Sequence, residues 1–174
     1  MNHHRPNIVD VKNQWLYQQV EVEFPTKESL TGRDIYAQSV SNRTYAVLDE
    51  ELLVTSNHSV FNSEDVFVAD FHRLTVMFAL LQAKRWQTEH DQQMIVEFIT
   101  QIIYSEPCQL YLGFEKGEPV ACAMVTRVDN ELLISDLYII NEDEFKRNAF
   151  IQIVLEKVGA CTNPLGVGEI YLEL

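Results

Sequence analysis

The chain has 174 residues, enough for one domain with a proper core, and sets 13 Lys and Arg against 26 Asp and Glu, a formal net charge of −13. A 47% hydrophobic fraction with 22% charged residues excludes wholesale disorder, and 6 Gly with 5 Pro exclude collagen-like or linker-like sequence. The surplus of acid repels phosphate backbones and anionic lipid, so neither nucleic acid nor membrane is an expected partner, and a cationic acceptor suits the charge better.

The longest strongly apolar run, residues 74–81, is too short to span hydrocarbon. No apolar stretch follows the N-terminal charge, so no secretory signal is expected. Cys108, Cys122 and Cys161 lack C-x-x-C spacing and lie in or beside apolar sequence, which reads as buried free thiols in a reducing cytoplasm.

In chain order, residues 15–24 and 45–54 alternate imperfectly between polar and apolar and read as short β-like runs, part of an N-terminal extension over 1–60 that precedes a core over 61–174 in a single domain. Residues 63–84 read as a helix, since Phe67, Phe71, Leu74, Phe78 and Leu81 make one apolar face. A second helix opens at Thr88, an N-cap with Glu89 and Asp91 behind it. It carries the stripe Ile95, Phe98, Ile99, Ile102 and Ile103, and stops before Pro107.

A β-meander follows. Leu110, Leu112 and Phe114 alternate on the first strand, Lys116-Gly117 turns into a strand over 120–128, and Asp129-Asn130 turns into a third over 132–139. Tight turns make the three antiparallel. Asn141 then reads as the N-cap of a helix with Glu142, Asp143 and Glu144 in its first turn, an apolar face of Phe145, Ala149, Phe150, Ile153, Val154 and Val158, and Gly159 as its end. Residues 169–174 alternate Ile170, Leu172 and Leu174 with Glu169, Tyr171 and Glu173, the pattern of a half-exposed strand.

This order, with the wording VEFITQIIYSEP (96–107), QLYLGFEKGEPVACAMV (109–125) and LLISDLYII (132–140), resembles the GNAT-type N-acetyltransferases over about residues 88–174. Gly117-Glu118-Pro119-Val120 and Leu137-Tyr138-Ile139 stand where that family has its G-x-P-V opening and its L-Y-V-like strand end. The resemblance implies an α+β fold with a GNAT-like mixed, mostly antiparallel central sheet flanked by helices. It also implies a wedge-shaped opening where the third meander strand splays from the final strand. The pantetheine arm of acetyl-CoA would pair there with the backbone of Leu137, Tyr138, Ile139 and Ile140.

The family's pyrophosphate signature, Q/R-x-x-G-x-G/A, falls on residues 144–149, so the resemblance assigns the phosphates to Lys146, Arg147, Asn148 and Ala149. Of the signature itself only Ala149 fits: Glu144 replaces the Gln or Arg, and Arg147 stands in a glycine position. A carboxylate about 4 Å from a phosphate charge costs on the order of 4 kcal/mol at a dielectric near 20, which Lys146 and Arg147 partly offset. The residues alone are equally well explained as a helix cap.

The family's acidic position on the third meander strand is Ser135 here, with Asp136 beside it as the candidate general base; strict strand alternation points its carboxylate to the opposite face. The family's tyrosine beyond the final strand has no counterpart, and Tyr171 is a poor substitute.

The final strand is left with an uncovered edge, which either the N-terminal segment or a second subunit should cover; a homodimer is expected on that ground. His3, His4, His58, His72 and His90 have no i, i+4 partner, so no metal site is expected. No hydrolase, nucleotide-triphosphatase or dinucleotide motif is present, and Trp15 and Trp86 read as packing anchors.

Two functions remain open. One is acyl-CoA-dependent transfer to the primary amine of a small cationic or peptidyl acceptor. The other is a GNAT-shaped binding or regulatory module that transfers nothing.

Overall fold

The computed structural model describes residues 5–48, 61–159 and 168–174. Cys161, His3, His4, His58 and residues 49–54 of the second β-like run lie outside them.

The N-terminal segment is helical where strand was expected. Helix α1 (Asn7–Gln18) buries Ile8, Val9, Lys12, Asn13, Trp15 and Leu16 on one face, so residues 15–18 are its last turn and not the start of a strand. A lysine and an asparagine inside the apolar stripe hide its period. The alternating Val-Glu-Val-Glu-Phe beyond it stays irregular, with Val22 and Phe24 exposed.

Thr26 caps α2 (Lys27–Val40), accepting from the Ser29 N–H at 3.1 Å. The buried positions of α2 are Ser29, Gly32, Tyr36 and Val40, too small or polar to read as an apolar face. Gly32 allows a close approach to the next helical layer: a Cβ there would lie 1.9 Å from the Met94 carbonyl oxygen. Strand β1 (Tyr45–Val47) matches the start of the second β-like run.

The long helix expected over 63–84 divides. Ser63–Asp65 is a 3-10 turn, β2 (Val66–Val68) joins the sheet edge, and α3 runs only over His72–Ala83. Phe67 and Phe71, counted on the helical face, are both exposed: Phe67 lies on the strand and Phe71 is the extended residue before α3. The β-branched Val-Phe-Val triplet satisfies its backbone by pairing with its neighbour instead of coiling.

Helix α4 (Glu89–Ile99) opens as expected, with Thr88 accepting from the Asp91 N–H at 3.1 Å. It ends before Ile103, which is exposed rather than part of the stripe.

Strands β3 (Cys108–Glu115), β4 (Glu118–Val128) and β5 (Glu131–Ile139) form the expected meander. Lys116 and Gly117 both take positive φ, 52° and 81°, as a two-residue hairpin turn of matching twist requires. The cap of α5 (Glu144–Lys157) is Asp143 rather than Asn141: Asn141 and Glu142 adopt left-handed φ of 64° and 50°, and Asp143 Oδ1 accepts from the Phe145 and Lys146 N–H groups at 3.0 and 3.1 Å. Phe145, expected on the buried face, is exposed two residues past that cap. Gly159, at φ 75°, follows the helix as expected.

Strand β6 (Glu169–Glu173) departs from its alternation, since Glu173 is buried and Leu174 exposed. The sheet order is β1-β6-β5-β4-β3-β2, antiparallel at every step except the parallel pair β5 and β6. The fold is therefore a mixed α+β arrangement with a six-stranded, mostly antiparallel sheet.

Helices α1 to α4 pack on one face through Leu16, Tyr36, Phe78 and Phe98 against Cys108, Leu110, Leu112 and Met124, with Ile8 and Val9 against Leu133. On the other face α5 buries Phe150, Ile151, Val154 and Leu155 against Ala121, Ala123 and Ile134. The outer edge of β6 is taken by β1, with Tyr45 opposite Glu173, so the N-terminal segment supplies the cover and the edge gives no reason for a second subunit. Among the described residues no helix is long and apolar enough to cross a membrane.

Candidate functional site

The parallel strands β5 and β6 pair from Glu131 opposite Glu169 to Ile134 opposite Leu172, and β5 runs on to Ile139 without a partner in β6. Just beyond, β5 carries a bulge against β4: Met124 pairs with Ser135 and Cys122 with Tyr138, so Ala123 faces two residues, Asp136 and Leu137. Asp136 takes the left-handed φ of 53° that such a bulge uses. The bulge breaks the alternation. Ser135 Oγ donates to Asp136 Oδ2 at 3.1 Å, so these neighbours share a face instead of opposing each other, and Asp136 turns toward α1 and α2.

The opening is filled by side chains from five elements and one connecting turn. Tyr36 of α2 donates its hydroxyl to Asp136 Oδ1 and Oδ2 at 2.8 and 2.9 Å, and accepts from Lys12 Nζ of α1 at 2.8 Å. Arg43, in the turn after α2, donates through Nη1 to Asp136 Oδ1 and Glu173 Oε1, both at 2.8 Å. Arg85 reaches Asp136 Oδ1 at 3.2 Å from the end of α3. Arg43 and Lys12 also lie 4.8 and 5.2 Å from the centre of the Tyr36 ring.

Three cations thus face two carboxylates, and all but Arg85 are nearly or wholly buried. The main chain of the bulge is engaged as well. The Asp136 N–H donates to Glu173 Oε1 at 3.0 Å, and the Asp136 carbonyl accepts from Gln82 Nε2.

This environment opposes a general base at Asp136. Burial alone would raise its proton affinity, but Lys12, Arg43 and Arg85 outweigh that and hold the carboxyl well below the usual carboxylate range. Burial and the Asp136 carboxylate push the Tyr36 phenol well above its ordinary value, so it stays a donor. Asp136 is a counter-ion locked among cations, with 1% of its surface exposed.

The residues expected to hold coenzyme A lie at the end of β5 and in the first turns of α5. Leu137, Tyr138 and Ile140 are half-buried and Ile139 is buried at the end of β5. Lys146 Nζ is 2.8 Å from Glu115 Oε2, Arg147 and Asn148 are half-buried on α5, and Ala149 is buried in the core beneath that helix. The two helix-start amides nearest a phosphate position are consumed by Asp143, with Glu142 and Glu144 exposed on either side. A bound pyrophosphate would have to displace a carboxylate cap, so these residues do not fit the group. Among the described residues no cluster of His, Cys, Asp and Glu is arranged to hold a metal ion.

No family model matches the sequence, and no curated protein does. Among solved structures, a conserved protein of unknown function from Staphylococcus epidermidis ATCC 12228 is similar at 11% identity and a TM-score of 0.49, over 80% of this chain and 55% of that one. An acetyltransferase assigned to the GNAT family, from Novosphingobium aromaticivorans DSM 12444, is similar at 15% identity and a TM-score of 0.43, over 76% of this chain and 51% of that one. The chain spans about half the length of either structure.

Lys12, Tyr36, Arg43, Gln82, Arg85 and Glu173 were not singled out by the sequence. One local signal existed for Lys12, a lysine at i+3 and i+4 from Val9 and Ile8 and at i−3 and i−4 from Trp15 and Leu16, deep inside an apolar stripe. A charged residue placed there must be paired.

Proposed function

We propose that the protein is a binding or regulatory module built on an acyltransferase-shaped sheet, and that it does not transfer acyl groups from coenzyme A. The observation that carries this reading is the filling of the opening between β5 and β6. Both main-chain groups of Asp136, which an added strand-like ligand would need, are already bonded to Glu173 and Gln82. Opening the slot means separating Asp136 and Glu173 from Arg43, and a buried charge left without its partner costs about 3–5 kcal/mol. The carboxylate cap at the start of α5 works in the same direction.

The enzymatic reading keeps one observation in its favour: β5 continues past its last pair with β6, Ile134 opposite Leu172, with no β6 partner on that side. Thermal unfolding with and without acetyl-CoA separates the two. A ligand at a hundred times its dissociation constant stabilises the native state by about 2.7 kcal/mol. The expected result is no shift at millimolar acetyl-CoA. A saturable upward shift that Arg147→Glu abolishes would establish a coenzyme A site and overturn the proposal.

A further inference from the structure

On the face of the sheet away from the charge cluster, a cavity of about 680 Å³ opens past the last turn of α5. That size suits a small organic ligand, for which pockets run roughly 300–1,000 Å³. Its floor is Tyr111, Val125 and Leu132, sheet residues of the apolar cluster on which α5 packs. The helix is about 20 Å long at the usual helical rise, so the cavity lies a helix length from the α5 residues expected to hold coenzyme A, and it shares no residue with that set.

Strand register puts a cation on this apolar face. Arg127 stands opposite Leu132 and two residues from Val125, and side chains two apart on a strand share a face. Lys157 brings a second cation from the end of α5. Both side chains are exposed, and neither forms a salt bridge with another described residue. Among the described residues Glu106 is the one carboxylate in the lining, so the local excess is one positive charge in a chain whose net charge is −13. The Tyr111 hydroxyl donates to Gln109 Oε1 at 3.2 Å, and burial pushes the phenol above its ordinary value, so the floor presents a ring and no further charge.

An apolar, partly aromatic floor beside a local cationic excess selects a ligand with a hydrocarbon body and a single negative head. The Arg127 guanidinium offers a planar pair of donors that matches a carboxylate, and Lys157 adds a point charge. An amine of the same shape is repelled by both. We propose that this cavity binds a small aryl or alkyl carboxylate. The proposal goes beyond the reading of the protein as a binding module and stands whether or not coenzyme A binds.

Calorimetric titration with 3-phenylpropionate, 3-phenylpropanol and 3-phenylpropylamine tests it. The carboxylate should bind saturably at one site, and the amine at least about tenfold more weakly, because two cations act on the head group. Diffuse attraction to this chain runs the other way: a net charge of −13 favours the amine, so the expected order cannot come from the overall field. The double variant Arg127→Gln/Lys157→Gln, both side chains on the surface, should bring the carboxylate down to the affinity of the alcohol. Lys27→Gln/Lys84→Gln, at exposed positions outside the cavity, should leave it unchanged. An amine that binds as tightly as the carboxylate, or equal losses in the two double variants, would overturn the proposal. Methyl spectra in which the shifts induced by 3-phenylpropionate avoid Val125, Leu132 and Val158 would do the same.

Discussion

Tyr36 and Asp136 are joined across 100 residues of chain, the phenol donating to both carboxylate oxygens at 2.8 and 2.9 Å. That contact couples α2 to the bulge of β5, and with Lys12 on the far side of the hydroxyl it makes Tyr36 the centre of a buried relay rather than a core aromatic. Tyr36→Phe keeps the ring, its packing on Phe98 and the two cations over it, but leaves an ammonium and a carboxylate each short of a partner. We expect a loss of about 1–3 kcal/mol in urea unfolding with the denaturant slope unchanged. A variant as stable as the parent would show that water replaces the hydroxyl.

Asp136 sets an acid dependence. Its folded proton affinity is depressed by Lys12, Arg43 and Arg85, against a free value near 3.9, so the stabilisation is fully present above about pH 4 and is lost as pH falls toward the folded value. Other carboxylates of this acidic chain titrate over the same range, so the informative quantity is the stability difference between the parent and Asp136→Asn. That difference should be largest at pH 6–7 and shrink steadily below pH 4. A gap that stays constant from pH 7 to pH 3 would mean Asp136 is not the ionised partner.

The two most buried cations should behave oppositely. Arg43 bridges Asp136 and Glu173 at 2.8 Å each, so Arg43→Met removes the shortest ion pair of both carboxylates and should cost about 3–5 kcal/mol. Lys12 stands 3.5 and 3.9 Å from the same carboxylates in a cluster that already has one cation in excess. Lys12→Met leaves two charges of each sign and a side chain of similar length, and should change stability by less than about 1 kcal/mol in either direction. Chemical denaturation of the two variants side by side decides this, and equal losses would refute the ranking of the two cations by their distances to the carboxylates.

Local and non-local information divide this fold cleanly. The meander was legible because period-two alternation and two tight turns lie within 32 consecutive residues, Cys108 to Ile139, and each strand pairs with its sequence neighbour. Thr88 was legible as a cap for the same local reason. Asn141 was a reasonable cap by residue type, but the left-handed step at 141–142 moves the helix start to Asp143, and nothing in residue preference distinguishes the two. The cluster was illegible because its bonds span 93 and 130 residues and its charged members other than Lys12 sit where charge reads as surface, on strands or just past helix ends. Asp136 stood out by its place on β5, yet its chemistry is decided by Lys12, Arg43 and Arg85, which only folding brings to it.

The cysteines offer the last test. Cys108 Sγ lies 3.2 Å from Thr126 Oγ1, and Cys122 Sγ accepts from Gln82 Nε2 at 3.3 Å; both are fully buried. Burial pushes each thiol up to about 12, the nearby donors offsetting only part of it. At pH 8 almost no thiolate is present at either site, and the thiolate is the reactive species. In a Cys161→Ser background, a disulfide reagent such as DTNB should titrate neither remaining thiol under native conditions and both in guanidinium. The native reaction should follow global unfolding, so it should speed up in Tyr36→Phe by no more than that variant's loss of stability allows. Fast labelling of Cys122 without loss of stability would mean that the Gln82 side opens locally, and that the bulge it caps is less firmly closed than its hydrogen bonds require.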